Sequence, residues 1–113
     1  MMTEQQIQQQ IRLLGRGPVR LHRNNVGSLP DPRTGRLVTF GLAPGSADLI
    51  GWRSVTITPD MVGQTVAVFV SIEVKTANGR VSPAQHNWLA AVQAAGGLAC
   101  IARSVDDARG LLS

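Results

Sequence analysis

The chain has 113 residues, of which 43% are hydrophobic, so it is long enough for one folded domain and too apolar for a disordered segment. No apolar run reaches the roughly 20 residues that a membrane helix needs, and the N-terminal MMTEQQIQQQ lacks the segments of a secretory signal. Eleven basic against seven acidic residues give a net charge of +4. We expect a single domain over residues 1–113.

The first predicted element is a helix from about Thr3 to Leu14. Thr3 is the expected N-cap, with Gln6 at the position that completes a capping box, and the glycine- and proline-rich residues 15–18 end the helix. Apolar residues at helical spacing form one stripe that we expect to be buried, namely Ile7, Ile11 and Leu14. Extending this stripe backwards by one step reaches Glu4, which places a carboxylate in line with the buried face.

Glycines and prolines divide the middle of the chain. A loop is expected over Asn25 to Gly35, and strands over Val19 to Asn24, Arg36 to Leu42 and Ala47 to Trp52. Val66 to Lys75, with the sequence VAVFVSIEVK, is the most strand-like run because it is long, β-branched and nearly continuous. Such a strand usually lies centrally in a sheet and is covered on both faces. The segment Arg53 to Thr65 is longer than a tight hairpin needs.

The last third of the chain predicts a helix, a strand and a helix. Ser82 is the expected N-cap of the first, with Pro83 at its first position and Gln85 at the capping-box position. Leu98 to Ala102 is the expected strand, and Ser104 caps the last helix. We therefore expect an α/β fold in the order α-β-β-β-α-β-α, with a mixed sheet and helices on its faces.

Three polar residues occupy positions where polar side chains are costly. Glu73 and Lys75 stand two residues apart on the predicted central strand, so their side chains leave the same face. Asp48 follows a glycine-containing turn at the start of the preceding strand, and would join them if the two strands are neighbours. Two carboxylates and an ammonium suit a hard divalent cation and the water bound to it. The alternative is a solvated ion pair and an ordinary turn acid, but the only lysine of the chain stands here.

The positive charge is carried mainly by arginine, which accounts for ten of the eleven basic residues. A guanidinium binds phosphate oxygens through a pair of hydrogen bonds, so this composition points towards nucleic acid. The candidate contacts to a phosphate backbone are Arg12, Arg16, Arg20, Arg23 and Arg36.

The single cysteine, Cys100, excludes an internal disulfide and favours a reducing, cytoplasmic setting.

The motif order resembles a known family. APGSAD, the strand-borne IEVK, a glycine turn and then SPAQHNWL are together similar to the VRR-NUC domain of the PD-(D/E)xK nuclease superfamily, and LHRNNVG before them fits as well. The resemblance runs from Glu4 to about Asp107 and implies a restriction-endonuclease-like core. In size, the chain is most similar to the stand-alone members of phages and bacteria, which implies the cytoplasm of a bacterial or phage-infected cell.

The resemblance also implies site residues. Asp48 and Glu73 would ligate Mg²⁺ or Mn²⁺, helped by the backbone carbonyl of Val74. Lys75 would position the attacking water and offset charge in the transition state.

Two further residues match the family and keep an alternative interpretation. Gln85 matches the glutamine of the helix after the ExK strand and would steady the site, or it only completes the capping box of Ser82. Glu4 matches the acid of the first helix, which can complete the metal shell, or it only gains from the helix dipole.

The function that the resemblance implies is that of a metal-dependent, structure-specific DNA endonuclease, similar to a Holliday-junction resolvase. Cutting two strands symmetrically needs two active sites, so we expect a twofold homodimer. One alternative is a catalytically inactive nuclease-fold module that binds branched DNA, which the intact D…ExK pattern disfavours. Another is a small α/β scaffold, which leaves the arginine excess and the lone lysine unexplained.

Overall fold

The computed structural model describes residues 1–113, and the chain divides into two compact units, Met1–Val55 and Thr56–Ser113. The first unit contains one helix and four strands, which are α1 (Glu4–Arg12), β1 (Val19–Arg23), β2 (Gly27–Pro30), β3 (Leu37–Phe40) and β4 (Leu49–Arg53). The second contains a short 3-10 helix at Pro59–Met61, followed by β5 (Val70–Val74), α2 (Pro83–Ala94), β6 (Leu98–Ala102) and α3 (Val105–Leu112). The predicted α/β class is confirmed. The longest helix, α2, has 12 residues, and none of the helices could span a membrane.

The first unit is built from two antiparallel strand pairs. β1 pairs with β4, so that His22 lies opposite Ile50, and β2 pairs with β3. Gly51 allows the close approach of β1 and β4, because a Cβ at this position would lie 1.7 Å from the carbonyl oxygen of Arg20. Only glycine avoids this clash, which explains a glycine in the middle of a strand.

The apolar stripe of α1 is not buried, contrary to the prediction. The capping box of Thr3 and Gln6 is present as expected, but no residue of the helix is buried, and Ile7 and Ile11 are 44% and 41% exposed. Helical spacing of apolar residues predicts that a helix has an apolar face; it does not identify what covers that face.

The second unit is a β-α-β arrangement. β5 and β6 are parallel neighbours, with Glu73 opposite Ile101, and α2 connects them. Parallel strands need such a crossover, and its helix covers one face of the strand pair. The core lies between α2, which contributes two side chains, and β6, which contributes two more: Leu89, Val92, Ala99 and Ala102.

Three predictions about the strands are corrected. The expected loop over Asn25 to Gly35 contains β2, so five strands precede α2 where four strand segments were predicted, and the order α-β-β-β-α-β-α is not confirmed. The strands form three two-stranded sheets instead of one mixed sheet. β5 begins at Val70 and not at Val66, because its partner β6 has only five residues and offers no ladder further back.

Candidate active site

Glu73 is held by two neighbours in the second unit. Its Oε1 lies 3.4 Å from the Nζ of Lys75 and accepts a 2.7 Å hydrogen bond from the Nε2 of Gln85. Oε2 makes neither a hydrogen bond nor an ion pair. The side chains of Glu73 and Lys75 are 30% and 21% exposed, so the pair is partly shielded and still reachable from solvent. The carboxylate is therefore oriented through one oxygen while the other remains available to a ligand.

The amide of Gln85 accounts for both interpretations of this residue. Its Oε1 accepts a 2.9 Å hydrogen bond from the backbone N–H of Ser82, whose hydroxyl in turn accepts one from the N–H of Gln85. The predicted capping box is thus confirmed. The Nε2 at the other end of the same amide is the donor to Glu73. One side chain therefore begins α2 and orients a carboxylate on β5.

The other residues of the ExK segment lie where the strand ends. Val74 is the last residue of β5 and pairs with Ala102, so its backbone lies between Glu73 and Lys75. Lys75 continues the ladder by one step, because its N–H donates a 3.0 Å hydrogen bond to the carbonyl of Ala102. The backbone of this motif is consequently fixed on both sides of Val74.

Asp48 lies in the first unit, directly before β4. Its backbone carbonyl accepts a 2.8 Å hydrogen bond from the N–H of Asn24. Its carboxylate is exposed and makes no hydrogen bond or ion pair. An exposed carboxylate without partners is free to bind a cation, which suits the predicted role.

Asn24, which sequence analysis did not single out, contacts both ends of the loop that leads to Asp48. Its Oδ1 accepts a 3.0 Å hydrogen bond from the N–H of Leu42, and its Nδ2 donates to the Oγ of Ser46 and the carbonyl of Ala47 at 2.7 and 2.9 Å. Its place in LHRNNVG, as the last residue of a predicted strand, was the one available signal.

Arg103, also missed from the sequence, holds the turn after Lys75. Its Nη1 donates to the carbonyls of Thr76, Ala77 and Gly79 at 2.7, 3.3 and 2.8 Å. Its own N–H donates a 2.9 Å hydrogen bond to the carboxylate of Asp107 in the first turn of α3. No sequence spacing announces such a contact, because the arginine and the turn are more than twenty residues apart.

Glu4 is the first residue of α1, in the first unit, and is exposed without a hydrogen bond or ion pair. The structure thus brings Glu73, Lys75 and Gln85 together in one unit and places Glu4 and Asp48 in the other. The convergence of Asp48 on Glu73 and Lys75 stays a prediction.

Within each unit, no three side chains of the metal-binding types, His, Cys, Asp and Glu, cluster. The candidate ligands are all oxygen donors, however, and this fits a hard cation such as Mg²⁺.

The candidate phosphate-binding arginines all lie on the surface of the first unit. None of them forms an ion pair, although Arg20 donates hydrogen bonds to the carbonyls of Gly17 and Val19. The first unit has seven arginines and three acids, whereas the second has four basic and four acidic residues. The whole net charge of +4 thus belongs to the first unit. The five residues are Arg12, Arg16, Arg20, Arg23 and Arg36.

Comparison with known proteins identifies the family. The model of the VRR-NUC domain matches residues 2–106, which is nearly the whole chain and includes parts of both units. No curated protein and no solved structure matches the chain significantly. The chain belongs to the VRR-NUC domain family. This membership implies a nuclease-type function, that is, a hydrolase with DNA as its substrate.

Proposed function

We propose that the chain is a metal-dependent endonuclease that cuts branched DNA, in the manner of a Holliday-junction resolvase. The observation that carries the proposal is the arrangement around Glu73, in which Gln85 and Lys75 hold Oε1 and leave Oε2 without a partner. A salt bridge formed only for stability has no need of a glutamine that orients the carboxylate from another element. A metal ligand does, because such hydrogen bonds fix the direction of its lone pairs.

The residues that would hold Mg²⁺ or Mn²⁺ are Asp48, Glu73 and the carbonyl of Val74, with Glu4 completing the shell. The bound ion would supply Lewis-acid stabilisation of the phosphate and a more acidic water. Lys75 positions that water for attack on phosphorus and offsets negative charge as it develops. The water gives up a proton as its oxygen bonds to phosphorus, the bond from phosphorus to one sugar oxygen breaks, and that oxygen takes up a proton.

The distribution of charge supports a division of labour between the two units. A DNA backbone is bound mainly through its phosphates, and unpaired arginines at the surface are suited to such contacts. The first unit carries these arginines. The second unit carries the ExK segment, and the net charge of this unit is zero. We infer that the first unit provides most of the affinity for DNA.

The proposed location of the protein is the cytoplasm of a bacterial or phage-infected cell. The free cysteine and the membership of this family both fit this location.

A homodimer is part of the proposal, because one chain offers one active site and a four-way junction has two strands to cut. The exposed apolar face of α1, formed by Ile7 and Ile11 and continued beyond the end of the helix by Leu14, is a surface that a second copy would cover. The double variant Ile7→Glu/Ile11→Glu is expected to shift a dimer to a monomer in analytical ultracentrifugation. A wild-type chain that stays monomeric with and without DNA would exclude paired cutting.

The decisive experiment is cleavage of a labelled panel that contains a four-way junction, a flap, a splayed arm, a plain duplex and a single strand. Each substrate is incubated with Mg²⁺, Mn²⁺ or EDTA. Lys75→Ala and Asp48→Ala test the site, and Arg109→Ala and Asp106→Ala are matched controls, since these two residues pair with each other on the exposed side of α3. Junction-selective cutting that needs metal and is lost only in the site variants supports the proposal.

The same panel tests the alternative, which is an inactive module that binds branched DNA. No cutting of any substrate, together with salt-sensitive binding to the junction, would replace the endonuclease with this module. If the chain neither cuts nor binds any of these substrates, the arginines have no role in binding nucleic acid.

A further inference from the structure

Asn24 connects the beginning of the loop that leads to Asp48 with its end. β1 and β4 end their ladder with Arg23 opposite Leu49, and the N–H of Asn24 continues it by one hydrogen bond of 2.8 Å to the carbonyl of Asp48. The side chain then turns across the loop and binds its beginning at Leu42 and its end at Ser46 and Ala47. A single residue thus fixes the loop and the backbone of the acid that follows it.

The amide is well matched to this position. Both ends of the side chain are used, since Oδ1 accepts from Leu42 and Nδ2 donates to Ser46 and Ala47. Ser46 passes the connection on, because its hydroxyl donates a 2.7 Å hydrogen bond to the carbonyl of Ala43 at the other side of the turn. An aspartate would keep the acceptor and lose the donor, and an alanine would lose both.

The need for such a support follows from the loop itself. Residues 41–48 have no strand partners, and the loop contains Gly41 and Gly45 at φ of 82° and 84°, conformations that glycine adopts without strain. The carboxylate of Asp48 makes no contact that would hold it in place. Its direction therefore depends on the backbone at residues 47 and 48, and Asn24 binds a carbonyl of each.

We propose that Asn24 is a positioning residue for Asp48, and that it acts by fixing the backbone from which the metal-binding carboxylate projects. The inference rests on the proposed function in one respect, the role of Asp48 as a metal ligand. Removing a hydrogen-bonding support of this kind typically costs a factor of roughly 10 to 100 in metal affinity or activity.

The test measures binding of Mn²⁺ to the full chain by electron paramagnetic resonance of the free ion. Asp48→Ala identifies the binding event that depends on this carboxylate. Asn24→Ala and Asn24→Asp are expected to raise the Kd of that event about tenfold. Asn25→Ala is the matched control, because the neighbouring amide accepts only a weak 3.4 Å hydrogen bond from Arg23, and it should stay within a factor of two. Ser46→Ala removes one hydrogen-bond partner of Asn24, and its Kd for Mn²⁺ should lie between that of Asn25→Ala and those of the Asn24 variants.

Thermal unfolding and far-UV circular dichroism of the same variants separate positioning from folding. A role in loop stability alone would lower Tm in Asn24→Ala and leave the Kd for Mn²⁺ unchanged well below Tm, and this would overturn the inference. So would a wild-type chain whose Mn²⁺ binding does not respond to Asp48→Ala. If Mn²⁺ binding weakens in the Asn24 variants while the wild type cuts no DNA, the endonuclease proposal fails and this inference stands.

Discussion

The oxygen of the Gln85 amide accepts a hydrogen bond from Ser82, and its nitrogen donates one to Glu73. One substitution can remove the second contact and keep the first. Glutamate completes a capping box as glutamine does, so Gln85→Glu keeps the acceptor for the N–H of Ser82. It replaces the Nε2 donor by an oxygen that faces Oε1 of Glu73 across 2.7 Å. We expect α2 to begin unchanged in amide hydrogen exchange, while DNA cleavage falls about tenfold or more. Gln6→Glu, at the same capping-box position in α1, should cleave like the wild type. Equal rates for the two variants would show that Gln85 acts only as a cap.

The fold favours the ionised form of Asp60. A hydrogen bond from the hydroxyl of Thr58, and to a smaller extent one from the backbone N–H of Asp60 itself, hold the pKa of this exposed carboxyl below its ordinary value. A lowered pKa means that the fold favours the charged form, so this contribution to stability is present above the pKa of the unfolded chain and disappears as the pH falls through the folded value. Thr58→Ala should raise the pKa towards the ordinary value in an NMR titration. Thr56→Ala should not.

Among the elements, the turn between β5 and α2 depends on Arg103, the residue directly after β6. Arg103 donates to three carbonyls of residues 76–79, and the N–H of Gly79 is bonded to the carbonyl of Thr76 in the same turn. In Arg103→Gln we expect faster hydrogen exchange at Gly79 and a lower kcat with little change in KM, because Lys75 directly precedes the turn. Arg109→Gln removes the same charge from the neighbouring helix, where the arginine pairs only with Asp106. The prediction fails if the two variants behave alike.

The elements that sequence predicted well are those with local signals at their ends. The caps Thr3, Ser82 and Ser104 all begin helices, and Leu98 to Ala102 is a strand with the predicted bounds. The strand β2 was missed because its glycine and proline favour a loop, and its pairing with β3 is a contact between distant segments. Periodicity likewise could not identify a partner for the apolar face of α1.

In the candidate site, too, local sequence patterns predicted some residues, whereas those that depend on contacts between distant segments were missed. Alternation along one strand was enough to place Glu73 and Lys75 on the same face, and the capping-box pattern was enough to place Gln85. Asn24 and Arg103 were missed because each acts through backbone groups 18 to 27 residues away, which no spacing rule relates to them. The placement of Asp48 relative to Glu73 likewise depends on a long-range arrangement that no local pattern specifies.

At the scale of the whole molecule, charge and chemistry lie on different parts of the chain. The first unit has seven arginines, none of which forms an ion pair, and the full net charge, whereas the basic and acidic residues of the second unit balance. In the second unit Lys75 is paired with Glu73 and Arg109 with Asp106. A substrate attracted by charge is therefore expected to meet the first unit first, with the second contributing less to long-range attraction.

This separation predicts how affinity for DNA depends on salt. Each phosphate contact contributes a slope of about 0.9 to the fall of log Kobs with log salt for duplex DNA. Removing two contacts by Arg16→Gln/Arg36→Gln should reduce that slope by about 1.8, measured by fluorescence anisotropy in EDTA so that no strand is cut. Arg80→Gln/Arg109→Gln removes two guanidinium groups from the balanced unit and should change the slope much less. If both double variants reduce the slope equally, DNA binds across both units and the division of charge does not direct binding.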